Sequence, residues 1–128
     1  MASESFGNLQ VDQSAGELSD AIREIVIKWN AFAKDTVGRQ LVRAADSVGA
    51  NSAEEAGRKS YADNKRFVAT ARGSLFETRH FLRRAHKRKL LAPEETSSLQ
   101  KILSSLPRSL NAYFNAIENR AVKNANNQ

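Results

Sequence analysis

Cysteine is absent from this 128-residue chain, and proline and glycine are scarce, at two and six residues. Without Cys there is no disulfide framework, no thiolate metal site and no cysteine nucleophile. So few turn-forming residues favour long helices over a turn-rich β architecture. No apolar run approaches the roughly 20 residues that span a bilayer, and the amino terminus lacks the basic-then-apolar pattern of a signal peptide. The expectation is a soluble, cytoplasmic protein with no membrane segment, forming one domain by the size prior for this length.

The usual catalytic motifs are missing too. There is no phosphate-binding Gly-Lys-Ser/Thr loop and no dinucleotide fingerprint. His80 and His86 are six apart, on different sides of a helix, so they do not face one ligand there. The paired carboxylates Glu54-Glu55 and Glu94-Glu95 point in different directions, and the second pair already suits the positive end of a helix. The residues indicate no enzyme, no cofactor and no metal site.

Carboxylates nearly vanish from one stretch. Between Arg58 and Lys89 there are eleven Lys/Arg against two acids, Asp63 and Glu77, a local net of +9. The other nine basic residues face twelve acids, so the remainder is net −3 and the whole chain +6. Complete internal neutralisation is therefore impossible, and some positive surface must remain. A pI near 10.0 points the same way, to a polyanion or an acidic partner.

Apolar spacing predicts four amphipathic helices and no strand. Residues 1–13 show no clear periodicity and read as a flexible arm. Ser14 and Glu17 offer a capping-box start to a first helix through Leu18, Ile22, Ile25, Val26, Trp29 and Phe32, ending near Lys34. Asp35, Thr36 and Gly38 mark a break. A second, narrow stripe follows at Val37, Leu41, Ala44, Ala45 and Val48, continued by Ala53 and Ala56, with a bend at Gly49 and Gly57 as terminator. Ser60 caps a third helix whose inward residues are Phe67, Ala71, Ser74, Leu75, Thr78, Leu82 and Ala85. Pro93, Glu94 and Glu95 open the fourth, with Leu99, Ile102, Leu103, Leu106, Leu110, Tyr113, Phe114 and Ile117 on its apolar face and a kink expected before Pro107. Residues 123–128 read as a disordered tail. The simplest architecture is an all-α, up-down-up-down four-helix bundle over residues 14–122.

Lys65, Arg72, Arg79 and His86 recur every seven residues, about 10 Å apart along the third helix axis. Arg83 joins them one turn after Arg79, and Lys87, Arg88 and Lys89 close the helix at the negative end of its dipole. Lys and Arg supply the phosphate contacts that dominate non-specific nucleic-acid affinity. Lys65, Arg72, Arg79, Arg83, Lys87, Arg88 and Lys89 are thus candidate contacts to RNA or DNA. Alternatively, Arg72, Arg79 and Arg83 pair with acids such as Glu24, Asp46 or Glu54 on other helices or subunits. Among the aromatic residues of the stretch, Phe67 belongs to the core, whereas Phe76 faces away from it and could stack on a base or pack against another subunit.

Three segments carry a family resemblance: Gln40-Leu41-Val42-Arg43-Ala44-Ala45, then Asn51 with Ala53, Glu54, Gly57 and Arg58, and above all Ala71-Arg72-Gly73-Ser74-Leu75 with Glu77. Over roughly residues 15 to 120 the chain resembles the small bacterial four-helix-bundle family that includes the 23S rRNA intervening-sequence proteins. That resemblance implies a homo-oligomer, typically a pentamer, and relatives that accompany retroelement reverse transcriptases and bind nucleic acid. The chain departs from the family where the usual Val-Pro-Ser-Asn-Ile-Ala-Glu-Gly is Val48-Gly49-Ala50-Asn51-Ser52-Ala53-Glu54-Glu55. Asn51, Glu54 and Arg72 still match, as a polar group that could link adjoining helices. Glu54 and Arg72 read either as an ion pair that fixes register or, for Arg72, as part of a phosphate or ligand site. The sequence thus points to a non-catalytic, oligomeric helical bundle that binds nucleic acid, with docking of an acidic protein partner as the alternative and an unrecognised enzyme third.

Overall fold

The computed structural model describes residues 2–49 and 60–127, and every element among them is helical. Helix α1 spans Ala2–Val26, α2 spans Ala31–Ala33, a π-helical turn spans Lys34–Gly38, α3 spans Arg39–Val48, α4 spans Tyr61–Lys87 and α5 spans Pro93–Asn126. From residue 31 to 48 the helical path is continuous, so α2, the π turn and α3 act as one rod and the described residues form four packing helices. Helix α1 packs on α5 and α3, α3 on α4, and α4 on α5, closing a ring. Contacts along each pair run in opposite chain directions. Ser19 of α1 donates to Asp46 of α3, while Val26 meets Gly38. Along α4 and α5, Tyr61 bonds Glu118, Arg72 bonds Asn111 and Arg79 bonds Leu103. Lys28, just beyond α1, lies 3.8 Å from Glu95 at the start of α5. These pairings give the up-down-up-down order expected from four short-linked amphipathic helices.

The core follows the predicted stripes. Leu18 and Ile22 of α1, Leu41 of α3, Val68 of α4, and Leu106, Leu110 and Ile117 of α5 are all buried. Each contributes about 1.5–3 kcal/mol from removing its side chain from water. All the inward residues expected on α4 are buried, including the polar Ser74 and Thr78; Thr78 satisfies its hydroxyl by donating to the Ser74 carbonyl at 2.8 Å. A buried polar link also joins α4 to α5, where the Tyr113 hydroxyl donates to Asn64 Oδ1 at 3.2 Å. Helix α4 starts on the predicted cap, with Ser60 Oγ accepting from the Asp63 amide at 3.1 Å. Helix α5 starts with Pro93 in its first turn and Glu95 Oε1 accepting from the Ala92 amide at 2.8 Å.

Several boundaries differ from the sequence expectation. The arm over residues 1–13 is helical from Ala2 onward, because Val11 and Ala15 continue the Leu18–Ile22 stripe at four-, three- and four-residue steps and are buried with it. The break after the first helix falls at residues 27–30 instead of 35–38. Asn30 is the true start signal, its Oδ1 accepting from the Ala33 amide at 2.9 Å. Phe32, expected on the inner stripe, lies beyond that break and is 78 % exposed. At the expected break the helix widens instead. The Arg39 amide reaches back to the Lys34 carbonyl, and the Thr36 hydroxyl takes the Phe32 carbonyl at 2.7 Å. Gly38 there is a close-approach residue, since a Cβ would stand 2.8 Å from Val26 Cγ1. Gly49 is the C-cap of α3, and the stretch over which the helix was expected to continue past a bend lies outside the described residues. The tail expected to be disordered continues α5 to Asn126, as a run of Asn, Ala and Lys with neither Gly nor Pro to stop it and with its side chains exposed. Ala53, Ala56 and Gly57 lie outside the described residues.

Candidate nucleic-acid interface

The buried face of α4 fixes where its cations point. With Phe67, Ala71, Leu75, Thr78 and Leu82 inward, steps of three and four residues place Arg72, Phe76, His80, Arg83 and Lys87 along the outward ridge, and all five are exposed. The seven-residue series runs beside this ridge, toward α5, and three of its members are held there.

Lys65 Nζ lies 4.0 Å from Glu118 Oε1 and 5.2 Å from the centre of the Tyr61 ring. Tyr61 itself donates to Glu118. That hydrogen bond, followed by desolvation and the Glu118 charge, holds the Tyr61 pKa above its usual value near 10.0. Arg72 Nη2 donates to Asn111 Oδ1 at 2.7 Å, with the guanidinium 5.1 Å from the centre of the Phe114 ring. Arg79 Nη2 donates to the Leu103 carbonyl at 2.7 Å. This carbonyl would normally accept from residue 107, four positions on, but residue 107 is proline and has no N–H. Arg79 supplies the donor that Pro107 lacks. Asn51 and Glu54, the other members of the predicted polar group with Arg72, lie outside the described residues.

The rest of the positive charge gathers at the carboxyl end of α4. Arg83, Arg84, Lys87, Arg88 and Lys89 are all exposed, and among the described residues none forms an ion pair with a carboxylate. By contrast, Arg66 earlier in the helix is matched by Asp63 at 3.2 Å. The helix dipole favours cations at this end by about 0.3–1 kcal/mol each within the last turn, which accounts for some positive charge there but not for five adjacent cations.

The turn that carries the cluster is tightly held. Lys89 adopts φ 62, a left-handed conformation more usual for glycine. The Leu90 amide donates to the Ala85 carbonyl at 2.9 Å and the Lys89 amide to His86 at 3.0 Å, forming a Schellman motif. Trp29 Nε1 then donates to the Leu90 carbonyl at 2.9 Å, tying the turn to the segment after α1. Beside the turn, α4 and the first half of α5 enclose a cleft of ≈ 760 Å³, with Leu82, Leu91, Leu99 and Leu103 as floor and Arg79, Arg83, His86 and Lys87 on the rim. A smaller recess of ≈ 350 Å³ on the opposite side of α4 gathers Arg39, His80, Arg84 and Arg88 near the π turn. His80 and His86 thus face different recesses. No cluster of three His, Asp or Glu residues that could hold a metal occurs among the described residues.

The sequence located the cations but not their division into those held by α5 and those without a carboxylate partner among the described residues. Asn111 and the Leu103 carbonyl are remote in sequence and carry no charge, so residue type alone did not reveal them. Pro107 was the available signal, since an interior proline leaves a carbonyl that some donor can fill. Arg39 and Arg84 were also missed as neighbours of Arg88, because that grouping depends on the π turn packing on α4.

No curated protein matches the chain. The family model described as 23S rRNA-intervening sequence protein matches residues 7–112. The match begins within α1, ends within α5 and takes in the Ala71–Leu75 segment that forms the inner turn of the basic helix. On that coverage, the chain belongs to the 23S rRNA-intervening sequence protein family.

Proposed function

We propose that this protein binds the phosphate backbone of nucleic acid, without catalysis, through the carboxyl end of α4. Arg83, Arg84, Lys87, Arg88 and Lys89 supply the main contacts, Lys65 and Arg72 add charge from their positions on α4, and Arg79 is structural. The observation that carries this reading is the cluster of exposed cations without carboxylate partners among the described residues, on a turn held by Trp29 and a Schellman motif. A rigid array loses little conformational entropy on meeting a polyanion. Assembly into a homo-oligomer, as the family resemblance implies, would repeat the array and steepen its salt dependence.

The test is fluorescence anisotropy with labelled single-stranded RNA, a structured RNA and duplex DNA across a salt series. The native protein should bind at moderate salt and weaken steeply as salt rises. A folded, normally assembled R83E/K87E/R88E variant should lose most of that affinity, and its slope in log affinity against log salt should fall by about 2 on single strands per protomer engaged. Absence of binding to all three nucleic acids at low salt would overturn the reading. Capture of an acidic protein by the same cations would then become the explanation of the cluster.

A further inference from the structure

Phe76 is 71 % exposed in the middle of a cationic helix face. Its position follows from register, because Leu75 and Thr78 on either side are buried and the ring between them must point outward. Burying such a ring is worth about 1.5–3 kcal/mol, so an occupant that covers it gains affinity. The surroundings define that occupant. Arg72 precedes Phe76 by one turn, and Arg83 and Lys87 follow it by two and three, all on the same outward ridge. Gly73, the i−3 neighbour of Phe76, has nothing within 4 Å of where a Cβ would stand, so the space beside the ring is open. The acid nearest in sequence, Glu77, lies about a quarter turn away on the flank.

We propose that this ridge binds single-stranded nucleic acid in preference to duplex, with one unpaired base stacked on Phe76 and adjoining phosphates held by Arg83 and Lys87. An exposed aromatic ring among cations is the arrangement that binds single strands, since every unpaired base offers a flat face and stacking on a ring adds to phosphate attraction. In a duplex those faces are already stacked on one another, leaving the ring without a base to meet. A second copy docked ridge to ridge is a poorer occupant, because an isologous contact would bring one row of cations against another. The proposal rests on the phosphate-binding reading above and adds to it the state of the nucleic acid.

The experiment compares native protein, Phe76→Ala, Phe76→Leu, Phe76→Tyr and the R83E/K87E/R88E variant on single-stranded and duplex RNA of equal length at one salt concentration. Assembly is checked by light scattering. Phe76→Ala and Phe76→Leu should each weaken single-strand binding roughly 5- to 150-fold, the range for loss of one stacked base, with duplex binding unchanged and Phe76→Tyr near native. Fluorescence of a 2-aminopurine in the single strand should be quenched by native protein and by Phe76→Tyr, but not by Phe76→Leu. If the charge-reversed variant loses binding while Phe76→Ala and Phe76→Leu bind single strands as native, the stacking proposal is wrong and the phosphate reading stands. If no protein binds either RNA, both fall. A change in oligomer mass for Phe76→Ala, with single-strand affinity retained, would assign the ring to subunit packing and overturn the proposal.

Discussion

Removing the Arg79 head group should reveal how this fold tolerates Pro107. Arg79 donates to the Leu103 carbonyl at 2.7 Å, and Leu103 is only 7 % exposed, so water does not readily replace the donor. A hydrogen bond from a charged donor is worth about 1.5–3 kcal/mol. Arg79→Met keeps most of the aliphatic stem and should cost about 2 kcal/mol. In a Pro107→Ala background the helix regains its own amide for that carbonyl, and Arg79→Met should then cost no more than about 0.5 kcal/mol, the range of a redundant surface contact. The coupling energy is therefore about 1.5 kcal/mol, well above additivity error for independent sites. Pro107→Ala alone should stabilise, by up to the ~3 kcal/mol that separates proline from alanine inside a helix. The assay is urea unfolding of the four proteins at fixed protein concentration, followed by helical circular dichroism and by the fluorescence of Trp29, the only tryptophan. Equal costs of Arg79→Met in both backgrounds would refute the link between Arg79 and Pro107. A fall in the salt slope of nucleic-acid binding for Arg79→Met would show that its head group meets phosphate instead.

Three further substitutions test the turn and the close approach of helices. Lys89→Gly relieves a left-handed conformation at φ 62 and should stabilise by up to about 1 kcal/mol; it should also weaken nucleic-acid binding and lower the salt slope by about 0.7 on single strands. A variant that is less stable than native in urea would contradict the strain argument. Gly38→Ala has an ordinary helical φ of −60, but its Cβ would lie 2.8 Å from Val26 Cγ1 and 3.0 Å from the Ala33 carbonyl. Overpacking at about 1–3 kcal/mol should outweigh the roughly 1 kcal/mol gain in helix propensity. Gly73→Ala, with open space around it, should instead stabilise by about that gain, and equal effects at the two glycines would show that Val26 yields.

Much of the bundle was legible from side-chain periodicity. The inward residues of α4 and α5 were read from spacing because both helices keep one apolar face over many turns. The beginning of the chain was harder, since Val11 and Ala15 are a sparse continuation of the α1 stripe between polar residues. The connection after α1 was misplaced for a different reason. Gly38 and its neighbours look like a terminator, yet that glycine is needed where the π turn meets Val26, while the real stop depends on the Asn30 side chain capping a new turn. A cap and a close approach can use the same kind of small or polar residue, and only the neighbouring helix distinguishes them.

The division of the basic residues follows from a small mismatch of periods. A straight α-helix advances 700° in seven residues, which falls about 20° short of two turns. A series at exact sevens therefore drifts slowly around the helix, as residues do when they follow a neighbouring helix in a bundle. Lys65, Arg72, Arg79 and His86 behave this way. The first three meet Glu118, Asn111 and the Leu103 carbonyl of α5, and His86 lies on the rim of the α4–α5 cleft. The cations that stay directed outward come instead at mixed steps of three and four, through Arg72, Arg83 and Lys87, with Phe76 among them. Arg72 belongs to both rows, which explains why it contacts α5 while remaining exposed. The seven-residue repeat was thus the signature of a helix–helix seam, and the surface best suited to a polyanion lies one step beside it.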